Sequence, residues 1–499
     1  MKLKLPHRFF MYAQNFTIES MLKEISLCAF DLIKNNSDQN MGGIAKWENY
    51  SVVVSKKILR GCCLVVQTWL IDMVYDLAIY KCYGHKEITH NETLYLIALY
   101  NDYNSKCCKN LFSATQYNSS DIRLNLYGFL GEQYRFQASN EFLEEFAREK
   151  YILDTFPGKD NPKSIYNINV EQDIIDVTGF SSNEFSALVF SILACFFDNT
   201  PAVKRDSIYI DLKNPLFSLN NFMKVLDMYS VTLDEIRTSN WKRQVLYTHP
   251  IIKIDDIYIA SNPFLLLSLF ANANYWVLRN LYMHKRRDKQ KFVNAFGCFF
   301  EMYVEELLNN CINKYIFEKI PEERNEKRAD WYLNIDGIEF LVEQKSGLSL
   351  LCIKQNQTDI EMLKKHIIKN WGEAVKQLNN TQTARKMDNP IKIILVYEDY
   401  YKSECLDELF KLDNSLINDK KYWLVTIREF EMLLMICHDD LELFKLIVRE
   451  KDDSEITHSS QGRDLSQFFA KHHIYENKYL YDFNIMDRWN TINSIWVQD

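Results

Sequence analysis

Between Arg328 and Lys345, apolar and polar positions alternate with period two about a central Asp336-Gly337 pair. That pattern predicts an antiparallel hairpin, because a two-residue type I′ turn needs positive φ at both positions and Asp-Gly supplies it. With those two residues as the loop, Ile335 pairs with Ile338, Leu333 with Phe340 and Trp331 with Val342, which puts six apolar side chains on one side of the ribbon. On the other side Tyr332 opposes Leu341 and Asp330 falls opposite Glu343. Lys345 projects from that same face.

Elsewhere the helical period dominates. Residues 1 to about 150 read as helices: 58–80 is apolar nearly all round and predicts a buried helix, while 92–103 and 140–150 are amphipathic. The cluster Phe156-Pro157-Gly158-Lys159-Asp160-Asn161-Pro162 marks a boundary. Beyond it Ser181-Ser182-Asn183-Glu184 opens an apolar helix over 185–197, and Thr232-Leu233-Asp234-Glu235 opens another. Apolar triplets flanking Asp255-Asp256 predict a short hairpin, after which Asn262-Pro263 starts a helix running towards Arg279. From residue 288, Val293, Phe296, Phe300, Tyr303, Val304 and Leu307 form one helical stripe with Glu301 and Glu305 stacked at its edge. After the central hairpin come a polar loop to about Asp359, a helix over 360–379, strands over 391–397 and 422–426, and a helix over 427–450.

The order helix, hairpin, helix, strand, strand predicts an α/β core with a mixed sheet, attached to a large, mainly α-helical N-terminal region. The expected divisions are 1–156, helical; 157–287, helical with a short hairpin; 288–452, the α/β domain; and 453–499, a C-terminal extension.

Composition refines this in three respects. Only 13 Gly and 9 Pro in 499 residues favour long uninterrupted elements. The formal net charge of −8 means that any nucleic-acid-binding surface has to be local. Candidates are the run Lys285, Arg286, Arg287, Lys289 and Lys291, interrupted by Asp288, and a second stretch with Lys354, Lys364, Lys365, Lys369 and Lys376. Twelve cysteines without a Cys-x-x-Cys pair read as free thiols of a reducing compartment. The start lacks an apolar signal core, and the longest apolar runs are too short to span a bilayer, so a cytoplasmic protein with no membrane contact is expected. No Walker-type phosphate loop is present, so any ATP dependence has to come from a partner, and the absence of a Gly-x-Ser-x-Gly elbow argues against an α/β-hydrolase.

The chemistry lies in the hairpin. Two carboxylates opposite each other on an antiparallel pair repel, by roughly a few tenths of a kcal/mol or more. For an arbitrary Asp…Glu-x-Lys triple the bland reading is favoured: solvated residues at frayed strand ends, with Lys345 neutralising one of them. The register shifts that balance, since a hard cation such as Mg²⁺ or Mn²⁺ removes the repulsion by taking carboxylate oxygens. A lysine beside it can hold an attacking water or stabilise developing negative charge.

The helix with Glu301, the hairpin with Asp330 and Glu343-Gln344-Lys345, and the following helix with Gln377 together resemble the PD-(D/E)xK nuclease superfamily, over roughly residues 288–430. The resemblance implies a restriction-endonuclease-like mixed sheet flanked by helices, with a Mg²⁺-dependent site at one end of the hairpin. It implies Asp330, Glu343 and Glu301 as metal ligands, Lys345 as the residue assisting the attacking water, and Gln377 as the glutamine typical of the RecB-like branch. Ala329 stands where the family name has proline, and Thr381 stands where the RecB-like pattern has a tyrosine. The implied activity is endonucleolytic hydrolysis of phosphodiester bonds, with DNA the expected substrate and Lys285, Arg286, Arg287, Lys289, Lys364 and Lys365 as candidate contacts to it. The N-terminal half is then assigned to substrate selection, oligomerisation or control by a partner protein, a composite like those of bacterial defence systems against phage or plasmids. The alternative, from another class, is a non-catalytic nucleic-acid-binding or scaffold protein that keeps the fold.

Overall fold

A computed structural model of the chain describes residues 7–34, 44–81, 83–112, 141–158, 167–198, 201–208, 213–240, 244–321, 326–346, 364–365, 367–397, 403–413, 415–416, 422–457 and 463–496. Ser55 and Lys56, at φ 50° and 65°, form a two-residue turn between β1 (Ile44–Val54) and β2 (Lys57–Val66). This corrects the expectation of one buried helix over 58–80: its first part is strand, and the helix runs over Gln67–Ile79. An apolar run fits a buried helix and a strand equally well, and the turn carries no glycine or asparagine to announce it.

The helix starts expected at Ser181 and Thr232 form as capping boxes. Ser181 and Glu184 exchange side-chain-to-backbone bonds ahead of the helix Ser182–Asp198, and Thr232 and Glu235 do the same ahead of Leu233–Thr238. The hairpin about Asp255-Asp256 belongs to a four-stranded sheet of order β3-β6-β5-β4, made of β3 (Ala202–Lys204), β4 (Ser230–Thr232), β5 (Ile251–Ile254) and β6 (Ile257–Ala260). The helix expected after Asn262-Pro263 breaks into Pro263–Phe270 and Ala273–Asn280.

The larger sheet has the order β11-β10-β9-β8-β7. β7 (Ile316–Lys319), β8 (Trp331–Ile335) and β9 (Ile338–Lys345) run antiparallel, whereas β9, β10 (Ile391–Val396) and β11 (Tyr422–Thr426) run parallel. The short edge strand β7 has no counterpart in the sequence pattern. Among the described residues, the sheet is flanked by helices α1 (Lys289–Ile312), α2 (Glu373–Arg385), α3 (Glu404–Leu412), α4 (Ile427–Asp439) and α5 (Leu441–Thr457). The helix expected over 427–450 is interrupted at Asp440, whose side chain caps the start of α5. The helix expected over 360–379 is a π-helical turn at Ile368–Gly372 followed by α2. Most of the polar loop before it, including Lys354, lies outside the described residues.

Both faces of the sheet are covered, giving the mixed α/β layering expected. On one face Trp331, Leu333, Phe340, Val342, Ile393 and Trp423 join a core shared with α1, α4 and α5, with the helices Glu141–Thr155 and Ser182–Asp198, and with the C-terminal helices. On the other face Leu341, Ile394, Val396 and Leu424 pack against Trp371, Val375 and Leu378 and against Leu406 and Leu409 of α3. The C-terminal extension is locked on by Trp496, whose Nε1 donates to Ser191 Oγ over 2.9 Å. Among the described residues no single helix is long and apolar enough to cross a membrane.

Candidate active site

The hairpin turn forms as its sequence requires, with Asp336 at φ 50° and Gly337 at φ 86°. The register pairs Ile335 with Ile338, Leu333 with Phe340, Trp331 with Val342 and Tyr332 with Leu341, as the alternation predicts. Since Leu341 faces α2, Glu343 and Lys345 face it too. Asp330 sits just before β8. Its N–H donates to the Val342 carbonyl over 3.0 Å, its carbonyl accepts from the Ile320 N–H over 2.8 Å, and its Oδ2 accepts from the Gln344 N–H over 2.8 Å. These bonds hold the Asp330 carboxylate beside the end of β9.

Glu343 is the buried member, with its side chain 3% exposed. Lys345 Nζ donates to Glu343 Oε1 over 2.5 Å and to Gln377 Oε1 over 3.2 Å. Glu343 Oε2 is buried and has no hydrogen-bond partner among the described residues. Burial pushes the Glu343 carboxyl up to about 8, the neighbouring Asp330 charge adds to the rise, and Lys345 opposes it. The group sits at the carboxyl ends of parallel strands, with Ile394 beside Glu343 and Val396 beside Lys345. Open α/β sheets bind their ligands at that end.

Gln377 and Thr381 anchor the site from α2. Gln377 Nε2 donates to the Arg328 carbonyl over 3.1 Å, while Thr381 Oγ1 accepts from the Ala329 N–H and donates to the Gln377 carbonyl, each over 2.8 Å. Sequence reasoning left Thr381 unassigned. The available signal was its position one helical turn after Gln377, which puts both side chains on one face of α2.

Glu301 is carried by α1. α1 covers the Trp331 face of the sheet, and Glu301 there accepts a charge-assisted bond from Lys319 Nζ of β7. α1 nevertheless approaches the site: a Cβ built on Gly297, one turn before Glu301, would stand 3.4 Å from Ser346 Oγ. Among the described residues no group of three or more His, Cys, Asp or Glu side chains is gathered so as to hold a metal ion. Asp330 and Glu343 are joined by Lys345 and Gln377, and Glu301 pairs with Lys319.

The candidate basic residues divide similarly. Lys285 and Arg287 are exposed, but Arg286 is engaged with the Asp173 carboxylate and donates to Tyr282 Oη over 2.7 Å. Lys365 is exposed and Lys364 half-buried, and the Lys289 side chain is outside the described residues.

A divalent cation fits the two carboxylates on their own chemistry. Both offer hard oxygens, one of them buried and unpartnered, and Mg²⁺ commonly takes only one or two protein carboxylates while keeping water or substrate oxygens in its remaining positions. No family model matches the chain, and neither does any curated protein or solved structure compared with it.

Proposed function

We propose that this chain is a metal-dependent nuclease of the PD-(D/E)xK type, hydrolysing phosphodiester bonds in DNA. One observation carries the reading: a buried carboxyl, Glu343, stands beside a second carboxylate, Asp330, with the Lys345 ammonium held against it by Gln377. Around it a mixed sheet is flanked by helices, with α1 before the β8/β9 hairpin and α2 and β10 after it, which supports the coarse architecture of the resemblance.

Asp330 and Glu343 would hold the cation. When bound, the cation supplies Lewis-acid polarisation of a phosphate oxygen and lowers the pKa of its water. Lys345 is partly exposed, so its ammonium reaches from the buried carboxyl to the solvent side. There it can orient an attacking water and offset the negative charge that builds on the phosphoryl oxygens. Gln377 limits the freedom of that ammonium, which keeps the positive charge where the transition state needs it.

The test is cleavage of supercoiled plasmid, linear duplex, single-stranded DNA and RNA with Mg²⁺ or Mn²⁺, with Glu343→Ala and Lys345→Ala alongside. Metal-dependent cutting lost in both variants supports the reading, and cutting that survives in both overturns it.

A non-catalytic scaffold is the second reading. It is favoured by the ion pairing of Glu301 with Lys319, a contact that a purely structural carboxylate also makes. A melting point indifferent to Mg²⁺ and Mn²⁺ would support it over the nuclease.

A further inference from the structure

Val53 and Ile58 are opposite each other in the β1/β2 register and are 71% and 64% exposed. They belong to a ribbon face composed of Asn49, Ser51 and Val53 from β1 and Ile58, Arg60 and Cys62 from β2, all six exposed. The reverse face is anchored: Val52 is buried, and the Tyr50 ring lies 5.4 Å, centroid to centroid, from Tyr95 of the helix His90–Phe112.

Among the described side chains, charge on this ribbon has one sign where it meets solvent. Lys56 in the turn, Lys57 beside it and Arg60 on the outer face are all exposed and make no ion pair among the described residues. The outer face and the turn contain no acidic residue, in a chain whose formal net charge is −8. Lysines often guard strand edges against aggregation. A guarded edge, however, gains nothing from two large aliphatic side chains placed in water between the guards. Cations flanking an apolar pair instead match a ligand that presents phosphates around an apolar interior.

We infer that the β1/β2 ribbon is a DNA-binding arm whose outer face enters the major groove of duplex DNA. That groove is wide enough for a two-stranded ribbon, and its floor offers thymine methyl groups to Val53 and Ile58 and base-edge donors and acceptors to Asn49, Ser51 and Arg60. Lys56 and Lys57 at the tip meet the phosphates that border the groove. The major groove of an RNA duplex is too narrow and deep for the same entry. The arm concerns binding and stands independently of whether the Asp330/Glu343 site cleaves.

The test is fluorescence anisotropy of the full-length chain, as wild type and as Lys345→Ala, without divalent cations. The probes are a labelled DNA duplex, the corresponding single strand, an RNA duplex and phosphatidylserine-containing vesicles. Two ribbon variants are compared, Lys56→Gln/Lys57→Gln/Arg60→Gln and Val53→Ser/Ile58→Ser. All five positions are exposed, and far-UV circular dichroism checks that both variants fold. Duplex DNA should bind in preference to the other probes. In the charge variant the slope of log affinity against log salt should flatten by about 2, at about 0.9 for each of the two lysine–phosphate contacts. The aliphatic variant should bind more weakly with its slope unchanged. Wild-type affinity and slope in both variants, or binding confined to RNA or vesicles, would overturn the arm. Loss of duplex binding in the ribbon variants of a chain that cleaves nothing would uphold the arm and count against the nuclease. A chain that cleaves DNA with ribbon variants binding as wild type would do the reverse.

Discussion

Gln377 and Thr381, one helical turn apart on α2, grip the two ends of a single peptide group. Gln377 donates to the Arg328 carbonyl and Thr381 accepts the Ala329 N–H of the same amide. That amide lies one residue ahead of the Asp330 amide, and the Oε1 of the Gln377 side chain accepts from Lys345. One face of one helix therefore fixes the spacing between the Asp330 segment and the Lys345 ammonium, which belong to different strands.

Thr381→Val keeps the side-chain shape but leaves the buried Ala329 N–H unpaired. An orphaned buried donor costs about 1–3 kcal/mol, so urea unfolding should show a loss of that size. Thr381→Ser should recover most of it. Equal stability of the valine variant and wild type would show that the clamp contributes nothing.

Gln377→Met keeps the length of the side chain and removes both of its polar contacts. Groups that orient the residues of a metal site are typically worth about 10–100-fold in activity or metal affinity, and a fall of that order in kcat is expected here. KM should change little, because Gln377 is bonded to Lys345 and the Arg328 carbonyl. Steady-state cleavage kinetics separates the two parameters.

Glu343 has its carboxyl raised to about 8 by burial first and by Asp330 second. Its folded value lies above its unfolded one, so its contribution to stability is fully present below the unfolded carboxylate range and is lost as pH rises through about 8. A bound cation requires the ionised form, so binding releases this proton. The rise in melting point on adding Mg²⁺ should therefore be larger at about pH 9 than at about pH 6. Glu343→Gln should abolish the rise, flatten the pH dependence, and melt above wild type at high pH without metal. Calorimetry across pH checks all three.

Arg148 and Glu431 form a buried bidentate pair with distances of 2.6 and 2.7 Å, and Tyr303 and Asn477 also donate to Glu431, each over 2.5 Å. The network joins the helix Glu141–Thr155, α1, α4 and the C-terminal extension. Glu431→Leu strands the buried guanidinium and should cost about 3–5 kcal/mol in denaturant unfolding. Arg148→Met/Glu431→Leu should be markedly more stable than the single variant, because no uncompensated charge remains.

The parts of this protein legible in its sequence are those with local determinants. Asp336-Gly337 sets its own turn, and period-two alternation then decides which side of the hairpin each residue occupies, so Glu343 and Lys345 share a face without reference to the rest of the chain. The serine and threonine caps at 181 and 232 work over a span of three residues, and they too formed as expected. The β1/β2 ribbon was not legible, because Ser55 and Lys56 reach positive φ without the residues that normally mark it, and an apolar run does not reveal whether neighbours bury it as helix or strand. β7 was missed because a four-residue edge strand with an exposed burial pattern, Ile316-Phe317-Glu318-Lys319, leaves almost no periodicity to read. The site divides along the same line. Its residue types and register are local, whereas the pairing of Glu301 with Lys319, the grip of Thr381 on the Ala329 amide and the raised Glu343 carboxyl each join residues brought together only by packing. Burial and charge proximity are properties of space rather than of sequence separation, and the tertiary structure alone fixes them.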